Sequence, residues 1–103
     1  MNGVYRLTYN TQQGNGTGSV ILKDGLLHGG DGEVAYVGTY TTADSKLNAS
    51  FKAMKHGSFS FLPNGATVAI SGATVQGAQV TGTASVPGVG ATFQFILHKV
   101  AEL

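Results

Sequence analysis

Bulky apolar residues recur at every second position in short runs, and glycine-containing punctuation separates the runs. Tyr5, Leu7 and Tyr9 alternate with Val4, Arg6 and Thr8. Leu47, Ala49, Phe51 and Ala53 alternate with Asn48, Ser50, Lys52 and Met54, and Phe93, Phe95 and Leu97 share one parity near the end. A period of two marks strands that turn one face to a core. No window carries the apolar stripe of an amphipathic helix, with its period of about 3.6 residues. The pattern predicts eight strands, over residues 3–10, 17–23, 26–28, 33–41, 46–55, 66–74, 79–86 and 92–100.

The connections between these runs are short. Asp24-Gly25 suits a type I′ turn, which needs positive φ at both central residues. Gly29-Gly30-Asp31-Gly32, Thr42-Ala43-Asp44-Ser45, Gly77 and Pro87-Gly88-Val89-Gly90 mark further turns, and residues 56–65 read as an irregular loop. None of the links is long enough for a crossover helix, so each joins antiparallel neighbours. Consecutive antiparallel strands remove their exposed edges by closing on themselves. The expected fold is therefore all-β, one domain over residues 1–103, an eight-stranded antiparallel up-and-down barrel, with a β-sandwich as the alternative.

Its expected inner face comprises Tyr5, Leu7, Tyr9, Val20, Leu22, Tyr36, Tyr40, Leu47, Phe51, Val68, Ile70, Val80, Phe93, Phe95 and Leu97. Gly38, Gly72 and Gly82 share that parity in mid-strand. Glycine there permits sharp bending or close approach of a neighbour. A barrel of this strand number is either just filled by side chains or holds one small ligand. The aromatic inward set Tyr5, Tyr9, Tyr36, Tyr40, Phe51, Phe93 and Phe95 leaves both readings open, and these are the candidate ligand-binding residues. Rings with a few hydroxyls suit an apolar molecule carrying a polar group.

Composition narrows the chemistry. The 103 residues include 16 glycines, no cysteine, 6 Lys and Arg, and 5 Asp and Glu. A balance so close to neutral gives no field for sequence-independent nucleic-acid binding. Without cysteine there is no disulfide framework, thiolate metal site or cysteine nucleophile. No apolar run approaches the roughly 20 residues of a spanning helix, and no leader pattern opens the chain. The expectation is a cytoplasmic protein with no membrane partner.

Catalytic constellations are not visible. Gly14-Asn15-Gly16-Thr17-Gly18 lacks the helix that a phosphate-binding glycine loop needs behind it, so it reads as a hairpin loop. His28, His56 and His98 have no ligand spacing. Asp24, Asp31, Glu33 and Asp44 stand at turns or strand ends, where such side chains bond their own backbone. The expectation is no enzyme, no cofactor and no metal. Phe59, Phe61 and Leu62 place three bulky apolar groups in one loop, to cap a barrel end or to contact a second subunit.

Asn2-Gly3-Val4-Tyr5, then Gly18-Ser19-Val20-Ile21-Leu22-Lys23-Asp24-Gly25, Gly29-Gly30-Asp31 and Tyr36-Val37-Gly38 follow in an order that resembles the GrlR-like family. Its best-known member is a negative regulator of type III secretion gene expression in enteric pathogens. The resemblance covers the first half of the chain well, and the second half in length and strand pattern. It implies a lipocalin-like barrel, a homodimer, and a regulatory role through protein–protein contacts. In that family an acidic turn after the fourth strand engages a transcriptional activator. The matching turn here is Thr42-Ala43-Asp44-Ser45-Lys46, in which Asp44 is the single acidic group. The candidate partner-binding residues are Asp44, Phe59, Phe61 and Leu62. The alternative is a carrier of an apolar small molecule in the aromatic interior.

Overall fold

The structure, a computed structural model, describes residues 1–12, 14–57 and 63–103. Eight strands run β1 Gly3–Thr11, β2 Gly14–Lys23, β3 Leu26–Gly30, β4 Val34–Ala43, β5 Lys46–Lys55, β6 Ala66–Gln76, β7 Gln79–Val86 and β8 Ala91–Ala101. Each pairs antiparallel with its neighbours in sequence, and β1 closes against β8, so the sheet is an up-and-down barrel and not a sandwich. Among the described residues there is no helix, and hence none long and apolar enough to cross a membrane.

Alternation sets the facing throughout. Tyr5, Leu7, Val20, Leu22, Tyr36, Tyr40, Leu47, Val68, Ile70, Val80, Phe95 and Leu97 are buried, and Tyr9, Phe51 and Phe93 pack half-buried against them. Leu27, Val34 and Val86 and the small residues Ala49, Ala53, Ala73 and Ala84 complete the core. The turns are those the sequence demands. Asp24 and Gly25 take φ of 51° and 84°, and Asp44 and Ser45 take 53° and 60°, the two positive values of a type I′ hairpin.

The sequence expectation needs correction in two places. The segment Gly14–Gly18 is not a loop; it is the first half of β2, with Tyr9 opposite Gly16 and Leu7 opposite Gly18. Glycine has low strand propensity, but here the segment is held by its ladder to β1, from Leu7 opposite Gly18 to Thr11 opposite Gly14. Gly72 does not face inward either. It sits exposed at φ 66°, in a bulge where the β6–β7 register shifts between Ile70 and Thr74. The extra residue reverses the parity, so Ala73 enters the core. The Gly72 N–H is satisfied by Asn48 Oδ1 at 2.8 Å, which fixes the bulge to β5.

The two ends of the barrel differ. The β2–β3, β4–β5 and β6–β7 turns share one end with both termini, where Leu22, Leu47 and Val80 are almost wholly buried. Asn2 ties the start of the chain to this end: its amide donates to Asp24 Oδ1 at 3.1 Å and its Oδ1 accepts from the Asp24 N–H at 3.0 Å. The β1–β2, β3–β4, β5–β6 and β7–β8 connections lie at the other end.

Candidate ligand cavity

The half of the barrel away from the termini is hollow. A cavity of about 240 Å³ runs from a floor of Leu7, Val20, Leu27 and Leu97 to the end where β3 connects to β4. Its walls are apolar, from Phe51, Val68, Ile70, Ala84, Phe93 and Phe95, with Tyr9, Tyr36 and Asp31 at the mouth.

Glycines make room for the groups at the mouth. On β2 the inner positions go from Gly16 and Gly18 at the mouth to Val20 and Leu22 at the filled end. A Cβ at Gly16 would overlap the Tyr9 ring, and one at Gly18 would lie 3.3 Å from Asp31 Cβ and 2.8 Å from the Gly30 carbonyl. The ring and the carboxylate therefore occupy room that side chains on β2 would take.

Asp31 organises the mouth. Its Oδ1 accepts the N–H groups of Glu33 at 2.7 Å and Val34 at 2.9 Å, an Asx turn that starts β4. Its Oδ2 accepts the Tyr36 hydroxyl at 2.7 Å and the Tyr9 hydroxyl at 3.2 Å. Two donors on each oxygen saturate the carboxylate. Partial burial pushes the Asp31 carboxyl up, but the hydrogen bonds from Tyr36, Glu33, Val34 and Tyr9 together outweigh it and hold the group below its ordinary value. Burial, then the Asp31 charge and hydrogen bond, push the Tyr9 phenol up to about 12. Tyr36, more deeply buried and bonded to the same oxygen, is raised further. All three groups keep one protonation state across neutral pH.

Rings and backbone brace this arrangement. Tyr9 packs on Phe93 with centroids 5.7 Å apart, and Tyr36 on Phe51 at 5.4 Å, both tilted. His56 Nε2–H donates to the Asp31 carbonyl at 3.1 Å, and the His56 and Gly57 N–H groups bond the Glu33 carbonyl at 2.8 and 3.0 Å. The end of β5 thereby holds the β3–β4 connection in place.

Of the aromatic residues singled out in the sequence, Tyr9, Tyr36, Phe51, Phe93 and Phe95 line the cavity together. Tyr5 and Tyr40 lie in the filled half, where Tyr5 bonds the Met1 carbonyl at 3.0 Å and Tyr40 reaches Asn2 Oδ1 at 3.5 Å. Asp44 is exposed in the β4–β5 turn, at the opposite end from the mouth. Phe59, Phe61 and Leu62 lie outside the described residues. Among the described residues no three His, Asp or Glu side chains gather as a metal site.

Sequence reasoning missed two parts of the site. Asp31 was expected only to bond its own backbone, and its tyrosine partners arrive through the β1–β2–β3–β4 register. The glycines of β2 were expected in a loop. The available signal was shared parity: Tyr9 stands near the end of β1 and Tyr36 near the start of β4, so both point inward at one end. Comparison with protein-family models found no match to this chain, and comparison with curated proteins found none.

Proposed function

We propose that this chain is a non-enzymatic binding protein that holds a small apolar molecule in the open half of its barrel. The observation that carries this reading is the apolar cavity of about 240 Å³, ending in one cluster of polar groups. An apolar cavity of roughly 150 Å³ is enough to bind benzene, and a few convergent polar groups at an apolar site fix a ligand's orientation. The saturated Asp31 carboxylate and the raised phenols offer no proton acceptor or donor poised near neutrality, which supports binding over catalysis. The outward strand positions include Arg6, Thr8, Ser19, Lys23, Thr39, Asn48, Ser50, Lys52, Thr67 and Gln94. Polar groups at these positions interrupt the continuous apolar band that a membrane barrel turns outward, which supports an aqueous compartment, the cytoplasm in our proposal.

Calorimetric titration with propylbenzene, a neutral apolar probe small enough for the cavity, tests the reading. Wild-type protein should give a saturable heat, and Ala84→Phe, which projects a ring into the cavity, should abolish it while circular dichroism still reports strands. Equal binding by both proteins would overturn it.

A second reading is a regulator acting through protein contacts as a homodimer, as the GrlR-like resemblance implies. It is supported by an outer row across β1–β4 in which Val4, Ile21, His28 and Val37 are successive register partners. Ile21 is 41% exposed, Val37 53%, and the nearby Leu26 49%. Apolar groups gathered on one sheet face suit a second copy of the chain. Light scattering tests it: a dimer that Val37→Lys converts to monomer supports the face, and a wild-type monomer at tens of micromolar rejects it.

A further inference from the structure

The mouth of the cavity specifies the head group of its ligand. Both tyrosine hydroxyls spend their single proton on Asp31 Oδ2, Tyr36 at 2.7 Å and Tyr9 at 3.2 Å. A hydroxyl whose proton is committed has only lone pairs left to offer. The carboxylate itself is saturated by these two donors and the N–H groups of Glu33 and Val34. The polar end of the cavity therefore presents acceptors, and a ligand seated there must supply the donor.

Charge and rings sharpen the class further. Among the described residues that line the cavity, the charged side chains are Asp31 and Glu33, both acidic. Lys55, paired with Val34 at the rim, is exposed and is not among the lining residues. His56 turns its Nε2–H to the main-chain carbonyl of Asp31 and not to the carboxylate. The Tyr9–Phe93 and Tyr36–Phe51 pairs add aromatic faces at the same level, and such faces attract cations. A carboxylate or phosphate head would meet lone pairs and negative charge, with both its oxygens left unpaired.

Resting on the cavity reading above, we propose that the ligand is a small apolar amine, its body in the barrel and its protonated amino group donating to the Tyr9 and Tyr36 oxygens beside Asp31. The volume admits a phenyl ring with a short arm, on the order of ten heavy atoms by comparison with a benzene-sized cavity.

Calorimetric titration of the intact protein with four probes of one shape tests both layers separately. Phenethylamine carries a cationic donor, phenethyl alcohol a neutral donor, benzylacetone a neutral acceptor and hydrocinnamate an anionic acceptor. The expected order of affinity is amine, alcohol, ketone, acid, with the amine at least about tenfold tighter than the acid. Asp31→Asn keeps the Asx turn through its amide oxygen. It turns NH₂ donors on the tyrosine oxygens and frees the phenolic protons into the cavity. That variant should lose about tenfold for phenethylamine and gain for benzylacetone. Should Asp31→Asn not fold, Gly32→Lys serves instead: a side chain there meets nothing within 4 Å, and its ammonium at the mouth should weaken the amine and strengthen the acid until their order reverses.

The outcomes divide cleanly. Ketone or acid binding as tightly as the amine overturns the head-group assignment while leaving the cavity reading intact. An unchanged order in the folded variants overturns it as well. Heat from none of the four probes, and none from propylbenzene, removes the cavity reading and the assignment with it.

Discussion

The Tyr36 hydroxyl donates to Asp31 Oδ2 at 2.7 Å while the other Asp31 oxygen caps the first N–H groups of the strand that carries Tyr36. One carboxylate thus fixes both the start of β4 and the orientation of its first inward ring. With Tyr9 on the same oxygen, β1 is tied to β4 across β2 and β3, a link that the sheet's own hydrogen bonds do not make. The barrel mouth is a polar clasp over an apolar hollow.

Acid should loosen the clasp. The Asp31 carboxyl lies below its ordinary value of 3.8 in the folded chain, so its contribution is present above that pH and is lost as pH falls through the lowered value. The melting temperature of wild-type protein should drop on acidification below about pH 4 more steeply than that of Asp31→Asn. At neutral pH the variant should be less stable by about 1 kcal/mol, a modest loss because the site is partly solvated. Parallel acid limbs in the two proteins would show that Asp31 is not the group responsible.

Alkali acts on the same cluster from the other side. Burial first and the Asp31 charge second raise the Tyr9 phenol from 10.0 to about 12, and Tyr36 is raised more. A group with a raised value stabilises the fold below its ordinary pKa and loses that contribution as pH climbs through the folded one. Ultraviolet titration should show Tyr9 and Tyr36 ionising well above pH 10 and only as the barrel opens, towards 12 for Tyr9. In Asp31→Asn the Tyr9 midpoint should fall yet stay above the ordinary value, because burial remains. A return to the free phenol value would make the charge, not burial, the main cause.

Two glycines should respond differently to one methyl group. At Gly38 an added Cβ overlaps the Ser50 carbonyl and the Phe51 backbone, on the strand paired with β4. Backbone on a paired strand cannot swing aside, so Gly38→Ala should cost about 3 kcal/mol in urea unfolding. At Gly16 the obstacle is the Tyr9 ring, a side chain at the cavity mouth. Gly16→Ala should cost about 1 kcal/mol or less while weakening amine binding, because the ring turns away from Asp31. Equal losses at the two sites would contradict the close approach of β4 and β5.

Strand number and facing were readable because period-two alternation is local: Leu47, Ala49, Phe51 and Ala53 announce their side without help from elsewhere. Gly72 and Ala73 exchange roles because a bulge depends on the partner strand, here through Asn48; within β6 its one mark is that Ala73 and Val75 stand at the opposite parity from Val68 and Ile70. The hollow escaped notice for a different reason. Gly16 and Gly18 contribute to its mouth by lacking side chains, which leaves room for the Tyr9 ring and Asp31, and a glycine-rich stretch looks the same in a loop. Asp31 displayed its Asx turn, whose partners Glu33 and Val34 are adjacent, but its bond to Tyr9 spans 22 residues and exists only once β1, β2 and β3 are in register.

Stability and binding should separate along the barrel axis. Leu22 is wholly buried in the filled half, so Leu22→Ala leaves a cavity among close-packed neighbours and should cost about 3 kcal/mol. Phe93 is half-buried and lines a hollow that already spares one of its faces. Phe93→Leu loses fewer contacts and should cost about 1 kcal/mol. Binding should follow the opposite order. Below its melting transition Leu22→Ala should bind propylbenzene as wild type does, since the mouth and walls are untouched. Phe93→Leu should bind it several-fold more weakly, having lost the ring that braces Tyr9 at 5.7 Å. If Leu22→Ala weakened propylbenzene binding as much as Phe93→Leu, the filled half would be shaping the cavity, and the two halves would not be independent.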